Sequence, residues 1–246
     1  MKRRIFLASS LSAALSGCSS IGTKLNDNAA FHNFLGVSES LNRALLGTHG
    51  LAREYADSDV DATFRINGFD TPMDAHYSRL QNGNFRDYRL LIDGAVERRR
   101  AISLAHLNDM AQQSNITRHD CVEGWSAIGK FRGVRLADVL DLAAPKASAR
   151  YVVLHCMDRS PEGLPYYESL DLHQARHPQT LLALALNDKP LDAAHGAPVR
   201  LRVPTQLGYK SAKWVGRIEL VASYSNLFSG HGGYWEDQGY EWYAGI

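Results

Sequence analysis

The residues of this chain best suited to chemistry lie in the segment 117–126, which reads TRHDCVEGWS. Its thiol, Cys121, stands among Arg118, His119 and Glu123. A thiolate rather than a thiol acts as nucleophile or metal ligand, and cations that lie close in space lower the pKa of a thiol. Because alternate residues of a strand share a face, His119 is expected on the same side as Cys121. The segment therefore predicts a reactive or metal-binding thiol.

Three uses of this thiol remain open on residue types and spacing alone. Cys121 could be a nucleophile with His119 as its base. It could bind zinc together with His119, His155 and Cys156, although these donors lack the compact CxxC spacing of typical zinc sites. It could also be the single protein thiolate on a softer redox metal whose other ligands come from a cofactor.

A disulfide between Cys121 and Cys156 is the simpler alternative. The chain has three cysteines, and an oxidising compartment favours the pairing of leftover thiols. A chain of this length can bury a sufficient core without such a bridge. Spacing alone nevertheless favours the disulfide, or an inert buried thiol, over a metal site.

The first eighteen residues predict an export signal. Residues 2–4 (KRR) precede a weakly apolar run that is too short to span a bilayer, and the arginine pair resembles the twin-arginine type of signal. Residues 15–18 (LSGC) resemble a lipoprotein cleavage box, which makes Cys18 the expected lipid anchor. An ordinary cleaved signal is the alternative. In either case we expect the folded domain in the periplasm.

The composition argues against a general nucleic-acid-binding protein. The formal net charge is +1, and removal of residues 1–18 would discard three cations and leave a net charge of −2. The chain has 45% hydrophobic and 22% charged residues, as an ordinary globular enzyme domain does. With no strong overall field, any anion must be held by local groups.

Patterns along the chain predict an α+β domain at residues 61–246 after an irregular lead-in at residues 19–60. Alternating or continuous apolar runs predict strands, and caps followed by helical apolar spacing predict short helices. The expected strands are 62–68, 88–92, 116–125, 151–157, 180–186, 199–203 and 213–223, and the expected helices are 41–46, 103–112 and 136–142. Uneven groups of strands favour mainly antiparallel or mixed sheets. The aromatic C-terminal tail is expected to wrap this domain.

Three motifs, in order along the chain, resemble the sulfite oxidase superfamily of molybdopterin-binding oxidoreductases. They are residues 117–126, residues 195–204 (HGAPVRLRVP) and residues 208–215 (GYKSAKWV). The resemblance covers about residues 60–225. Within the superfamily, the chain more specifically resembles the bacterial branch that includes the periplasmic catalytic subunit of protein-methionine-sulfoxide reductase. Residues 166–171 and 177–178 also fit the pattern of that branch. The resemblance implies a sulfite-oxidase-type fold of mixed sheets with short helices.

The resemblance also implies Mo-molybdopterin as cofactor, with the metal held by pterin dithiolene sulfurs, terminal oxygens and the Cys121 thiolate. Arg200 matches the residue that binds the cofactor's phosphate, for which paired guanidinium donors are suited. The other residues matched to cofactor binding are Asn42, Cys156, His195, Ser211 and Lys213. Without the resemblance, Arg200 would be a solvated strand position, His195 a turn residue and Lys213 a surface charge.

Near the metal, Arg118 and His119 are candidates to stabilise an oxyanion, and Glu123 is a candidate to face the same pocket. The implied reaction transfers one oxygen atom to or from a sulfur-containing substrate, in S-oxide reduction or sulfite oxidation. A sulfite site would need several converging cations, so Glu123 favours an S-oxide. The alternative for Glu123 is a surface carboxylate paired with Lys130 or Arg132.

The sequence contains no CxxCH haem motif, iron–sulfur cysteine set or GxGxxG unit. The two electrons are therefore expected to be exchanged with a separate electron-transfer protein, such as a haem-containing or quinone-linked membrane subunit. The expected substrate is a small or protein-bound sulfur compound. The alternative from a different class is a non-catalytic lipoprotein that keeps the fold as a pterin-binding or assembly module.

Overall fold

The structure, a computed structural model, describes residues 50–246. The predicted export signal, Cys18, the predicted helix at residues 41–46, Asn42 and most of the lead-in lie outside these residues. The strands are β1 (Arg89–Gly94), β2 (Arg100–Ser103), β3 (Gln112–Cys121), β4 (Trp125–Arg135), β5 (Tyr151–Arg159), β6 (Pro165–Asp171), β7 (Leu181–Leu186), β8 (Lys189–Pro190), β9 (Arg200–Arg202) and β10 (Val215–Val221). The helices are α1 (Ala75–Asn82), α2 (Leu104–Asp109), α3 (Leu136–Asp141) and α4 (Leu172–Ala175).

The strands form two sheets, and only short helices connect them. The first sheet has the order β2-β1-β10-β5-β6, in which β1 and β10 are parallel and the other neighbours antiparallel. The second has the order β3-β4-β7-β8, and β9 also pairs with β7. The predicted α+β class with mixed sheets is confirmed. The strands expected at residues 180–186 and 199–203 are present as β7 and β9, which pair antiparallel with Leu182 opposite Leu201.

The main core joins residues of both sheets to helix α3. Its fully buried members include Leu90 and Ile92 of β1, Leu154 of β5, Leu182 of β7 and Val139 of α3. Three of the four helices begin at side chains that accept a backbone N–H, namely Asp74 for α1, Ser103 for α2 and Asp171 for α4. The helix expected at residues 103–112 is present, but α2 ends at Asp109 and residues from Gln112 onward form β3.

The predicted strand at residues 62–68 is wrong. These residues form an irregular segment whose apolar side chains do not share one buried face, because Phe64 is buried whereas Ile66 is exposed. Phe64 packs edge-on against the rings of His119, Trp125 and Phe131, with ring centroids 5.6, 6.3 and 5.3 Å away. The apolar side chain that suggested a strand therefore anchors a loop to the second sheet.

The aromatic C-terminal tail wraps the domain, as the sequence predicts. Phe228 stacks on Tyr167 with ring centroids 4.0 Å apart, and Tyr234 stacks on Tyr166 at 5.3 Å. The Tyr167 hydroxyl donates to the Asp237 carboxylate over 2.6 Å. In the part of the chain from residue 50 onward, no helix is long and apolar enough to span a bilayer.

Candidate functional site

A cavity of about 350 Å³ opens where the β3–β4 hairpin turns. Six separate segments supply its walls: the loop after residue 66, the hairpin turn, strand β5, strand β6, the connection between β9 and β10, and the C-terminal tail. The lining residues are Asn67, Gly68, Phe69, Cys121, Val122, Glu123, Asp158, Tyr166, Tyr209, Ser211, Ala212, Lys213, Trp214, Trp235 and Tyr240. The cavity thus gathers Cys121, Glu123, Ser211 and Lys213 of the residues singled out from the sequence.

Cys121 is the last residue of β3 and stands opposite Trp125 across the hairpin. Gly124 closes the turn at φ 85°, a conformation that favours glycine, and its N–H donates to the Cys121 carbonyl over 3.1 Å. The thiol is partly buried, and this burial raises its pKa. The structure therefore holds Cys121 as a neutral thiol that a metal would have to deprotonate on binding.

Glu123 is fixed at the cavity by two hydrogen bonds rather than by a surface ion pair. Its carboxylate accepts the Trp125 indole N–H over 2.9 Å and the Gly68 backbone N–H over 3.0 Å. The bond from Trp125 is the main cause that lowers the pKa of Glu123. Lys130, the partner considered from the sequence, pairs instead with Asp57 and Asp188 at 2.8 and 3.2 Å.

Arg118 does not face the cavity, contrary to the sequence-based expectation. Strand alternation turns its side chain, 55% exposed, to the face opposite Cys121, where it pairs with Asp120 at 2.9 Å. His119 lies on the same face as Cys121 but is fully buried beneath the cavity. Burial, and then the charge of Arg202, lower its pKa well below the ordinary value, so the imidazole is neutral. The strand alternation that correctly places His119 on the face of Cys121 also predicts that Arg118 lies on the opposite face.

Three buried cations lie near this site without a carboxylate partner among residues 50–246. The Arg200 guanidinium donates to the carbonyls of His195 and Ser211 and to the Asn67 side chain, at 3.2 to 3.3 Å. Arg202 donates to His119 Nδ1 over 3.2 Å, to the Thr117 hydroxyl and to the Arg118 carbonyl. The Lys213 ammonium donates to the carbonyls of Asn67, Phe69 and Ala194.

These cations lose much of their hydration without gaining a counter-charge. Burial lowers the pKa of Arg200 to about 10, of Arg202 to about 9 and of Lys213 to about 7. The buried Nε atoms of both arginines and Nε2 of His119 also lack a hydrogen-bond partner in the described chain. Buried charges of this kind are usually paired. The arrangement therefore fits a bound anionic group such as the phosphate of a pterin cofactor.

Two residues matched to cofactor binding lie away from the cavity. His195 contacts Asp192 at 2.8 Å and the Phe64 carbonyl at 3.0 Å, and it lines a separate cleft. Cys156 lines another small cavity beside Tyr88 and His155. It lies on β5 opposite Val215 of β10, and burial raises its pKa well above the ordinary value.

The zinc and disulfide alternatives are not supported by these positions. His155 pairs with Glu219 at 2.9 Å and contacts Arg217 at 3.2 Å. Within the described residues, no three His, Cys, Asp or Glu side chains are grouped as a metal site would require. Cys121 and Cys156 are both free thiols there. Of the uses considered from the sequence, a nucleophilic thiol and a single thiolate on a cofactor-held metal remain.

The sequence analysis missed several residues of the cavity. Asn67 and Gly68 are predicted from the sequence only as the end of a strand, although they bind Arg200 and Glu123. Asp158 is 4% exposed, its Oδ1 lacks a hydrogen-bond partner in the described chain, and burial raises its pKa to about 7. Its position at the end of a predicted buried strand was the one available signal. Trp235 and Tyr240 had no comparable signal, since only the fold brings the tail here.

Known proteins resemble this chain in sequence and in fold. A protein of Azospira oryzae, provisionally named protein-methionine-sulfoxide reductase subunit YedZ1, is 35% identical over 99% of this chain and 87% of its own length. The protein-methionine-sulfoxide reductase catalytic subunit MsrP of Campylobacter jejuni is 31% identical over 68% of this chain and 61% of its own. MsrP of Xanthomonas axonopodis pv. citri is 38% identical over 53% and 44%.

A solved structure supports the same fold. The sulfane dehydrogenase SoxCD from Paracoccus pantotrophus matches 56% of this chain and 39% of its own with a TM-score of 0.51 and 22% identity. The model of the family described as "Oxidoreductase molybdopterin binding domain" matches residues 76–229, which is more than half of the chain. With Cys121 and Lys213 at one cavity, and Arg200 bonded to its lining residues Asn67 and Ser211, the chain thus belongs to this family of molybdopterin-dependent oxidoreductases.

Proposed function

We propose that this oxidoreductase reduces a neutral S-oxide, such as methionine sulfoxide, to the corresponding thioether. The character of the cavity carries the proposal. Its ionisable side chains besides Cys121 include the carboxyls of Glu123 and Asp158, and the Lys213 ammonium is already bonded to three carbonyls. Among the described residues, cationic side chains do not converge on the open part of the cavity, as a binding site for the sulfite dianion would require. The names of the relatives point to the same substrate class.

The residues of the cavity suit the molybdenum cofactor, which when bound supplies the two-electron change and accepts the oxygen atom. Cys121 would be the protein ligand of the metal, and Arg200 would bind the phosphate through its guanidinium. Ser211 and Lys213 would hold the pterin end, to which the backbone of their turn and one cationic side chain are available. Cys156 and His195 act at most indirectly, since they lie outside the cavity.

The two carboxyls of the cavity would have different roles, one in electrostatic selection of the substrate and one in proton transfer. Glu123 stays ionised, because hydrogen bonds from Trp125 and Gly68 lower its pKa, and it disfavours anionic substrates by repulsion. Asp158 is partly protonated at neutral pH, because burial raises its pKa to about 7. Its unpartnered Oδ1 can therefore deliver a proton to the departing oxygen. The overall reaction consumes two protons and two electrons and releases water.

The proposed setting is the periplasm, with a lipid anchor at Cys18 after twin-arginine export. The KRR and LSGC segments of the N-terminus support this part of the proposal, and both lie outside the described residues. Electrons would come from a separate haem-containing or quinone-linked membrane protein. The lack of a CxxCH motif, an iron–sulfur cysteine set and a GxGxxG unit in the sequence supports this part of the proposal.

Protein purified from a molybdate-replete host tests the proposed function. We expect about one molybdenum and one pterin per chain, and oxidation of a reduced dye that depends on methionine sulfoxide. N-oxides, chlorate and sulfite oxidation with an acceptor dye are assayed in parallel. Turnover with sulfite alone would overturn the choice of substrate. Folded protein without molybdenum or pterin would support the non-catalytic module instead.

Replacing Arg200 with methionine is expected to lower the molybdenum and pterin content of purified protein by about 10-fold or more, because a charge-assisted bond to a buried phosphate is lost. Metal analysis and the fluorescence of released, oxidised pterin measure this directly, without reference to turnover. Arg118→Met is the matched control, since Arg118 is an exposed cation on the far face of β3. Equal cofactor content in both variants would refute the role of Arg200.

A further inference from the structure

The last residues of the chain form part of the cavity although they lie beyond the matched family domain. The family model ends at residue 229, whereas Trp235 and Tyr240 both line the cavity that contains Cys121. We call residues 230–246 the strap. The strap therefore adds a wall to the cavity that the matched family domain does not supply.

The wall consists of packed aromatic rings. Trp235 stacks on Tyr240 with centroids 5.2 Å apart and planes 29° apart, and Tyr240 meets Tyr209 edge-on at 5.3 Å. Tyr166 stacks on Tyr234 of the strap at 5.3 Å, and Tyr234 meets Trp235 edge-on at the same distance. Tyr209 also donates its hydroxyl to the Glu241 carbonyl over 2.6 Å. These contacts fix the ring faces relative to the cavity.

A buried ion cluster holds the strap in this position. Lys210 pairs with Glu168 of β6 and with Glu236 of the strap, and all three side chains are fully or almost fully buried. Each member is next to the cavity wall in sequence: Glu236 follows Trp235, Lys210 follows Tyr209, and Glu168 lies two residues beyond Tyr166. The Trp242 indole adds a bond to the Ser169 hydroxyl over 2.8 Å. The strap is thus positioned by the same segments that line the cavity.

We propose that Trp235 and Tyr240 are specificity-determining residues that bind the apolar, sulfur-bearing end of a neutral S-oxide. Aromatic faces carry negative electrostatic potential, so they attract the partly positive sulfur and its methyl group and repel anions such as sulfite. Sulfur–aromatic contacts of this kind are favourable and tolerate different orientations. The inference rests on the proposed S-oxide reduction and names the residues that select its substrates. Lys210, Glu168 and Glu236 act on substrate only through the strap, as positioning residues.

Comparing substrates of different apolar size tests this inference on the holoenzyme. The ratio of kcat/KM for methyl phenyl sulfoxide to that for dimethyl sulfoxide is measured in the wild type, Trp235→Ala and Tyr240→Ala. We expect each substitution to lower this ratio by about 10-fold, mainly through a higher KM for the aryl substrate, since removing apolar contact in a pocket typically costs this much or more. Molybdenum content and the far-ultraviolet circular dichroism spectrum should stay at wild-type values.

Phe228→Ala is the matched control, because Phe228 is an aromatic residue before the strap that stacks on Tyr167 and does not line the cavity. It should leave the substrate ratio unchanged. An unchanged ratio in the Trp235 and Tyr240 variants would overturn the specificity role, as would an equal change in all three. A wild type that reduces neither sulfoxide would instead refute the proposed function, and the inference with it. Quenching of tryptophan fluorescence by methyl phenyl sulfoxide, lost in Trp235→Ala, gives a readout independent of turnover.

Discussion

Replacing Cys121 with alanine is expected to lower S-oxide turnover by more than about 100-fold while the chain stays folded. Loss of a group that only orients a metal ligand lowers metal affinity or activity by about 10- to 100-fold, and Cys121 is proposed to be the ligand itself. Its side chain stands at the end of β3 and is only partly buried. Removing it therefore takes little apolar area from the core, and turnover should fall without loss of folding.

Cys156→Ala is the informative comparison for this prediction. Both residues are free thiols in the described chain, and the resemblance to the family matches both to the cofactor site. Because Cys156 lines a separate cavity, we expect the molybdenum content and turnover of its variant to stay within about 3-fold of the wild type. This change is far smaller than the one expected from loss of a metal ligand. Turnover, metal content and thermal unfolding are measured for both. An active Cys121 variant, or an inactive but folded Cys156 variant, would refute the ligand assignment.

Strand alternation and motif order were sufficient to locate the centre of the site. Cys121 ends a strand with His119 on the same face, and Ser211 and Lys213 meet it across the cavity, as the three motifs predict. Local patterns carry this information because a strand imposes a period of two on its side chains. The same rule, applied to Arg118, would have placed it on the opposite face, where it lies.

The rest of the cavity depends on contacts between distant segments, which local patterns do not encode. Asn67 reaches Arg200 across 133 positions of the chain, and the strap reaches Tyr166 and Tyr209 only after β10 is placed. His195 belongs to a motif yet lines a separate cleft. Cys156 lies outside the three motifs, on β5 opposite Val215 of β10, and lines another cavity. Motif membership therefore identified the right segments more reliably than the right side chains.

The ion cluster behind the cavity would also be judged wrongly from sequence alone. Lys210 lies within a motif and Glu168 in a strand of mixed character, and an isolated lysine or glutamate is usually exposed. Here one ammonium meets two carboxyls in the absence of solvent. Burial raises the pKa of Glu168 well above its ordinary value, and the nearby Glu236 adds to this shift. The raised pKa favours the neutral form of the Glu168 carboxyl in the folded chain.

Replacing Lys210 with methionine is expected to lower the free energy of unfolding by about 3–5 kcal/mol, the usual cost of leaving a buried charge without its partner. This is a large share of the roughly 5–15 kcal/mol that stabilises a typical domain. Methionine fills a similar volume, so the loss would come from the two carboxyls rather than from an empty space. Urea unfolding followed by circular dichroism measures the change.

Glu168→Gln is the control that separates charge from packing, and pH gives the second measurement. A protonated carboxyl and an amide both leave the ion pair of Lys210 and Glu236 intact, so this variant should lie within about 1 kcal/mol of the wild type at a pH below 4.5, the ordinary pKa of a glutamate. Because the pKa of Glu168 is raised on folding, its contribution is complete below the ordinary value of 4.5 and is lost as pH rises through the folded-state value. As pH rises above 4.5, the wild type should therefore lose stability more steeply than Glu168→Gln. Identical pH profiles, or a Lys210→Met variant as stable as the wild type, would show that the strap is held by its aromatic contacts and not by the buried charges.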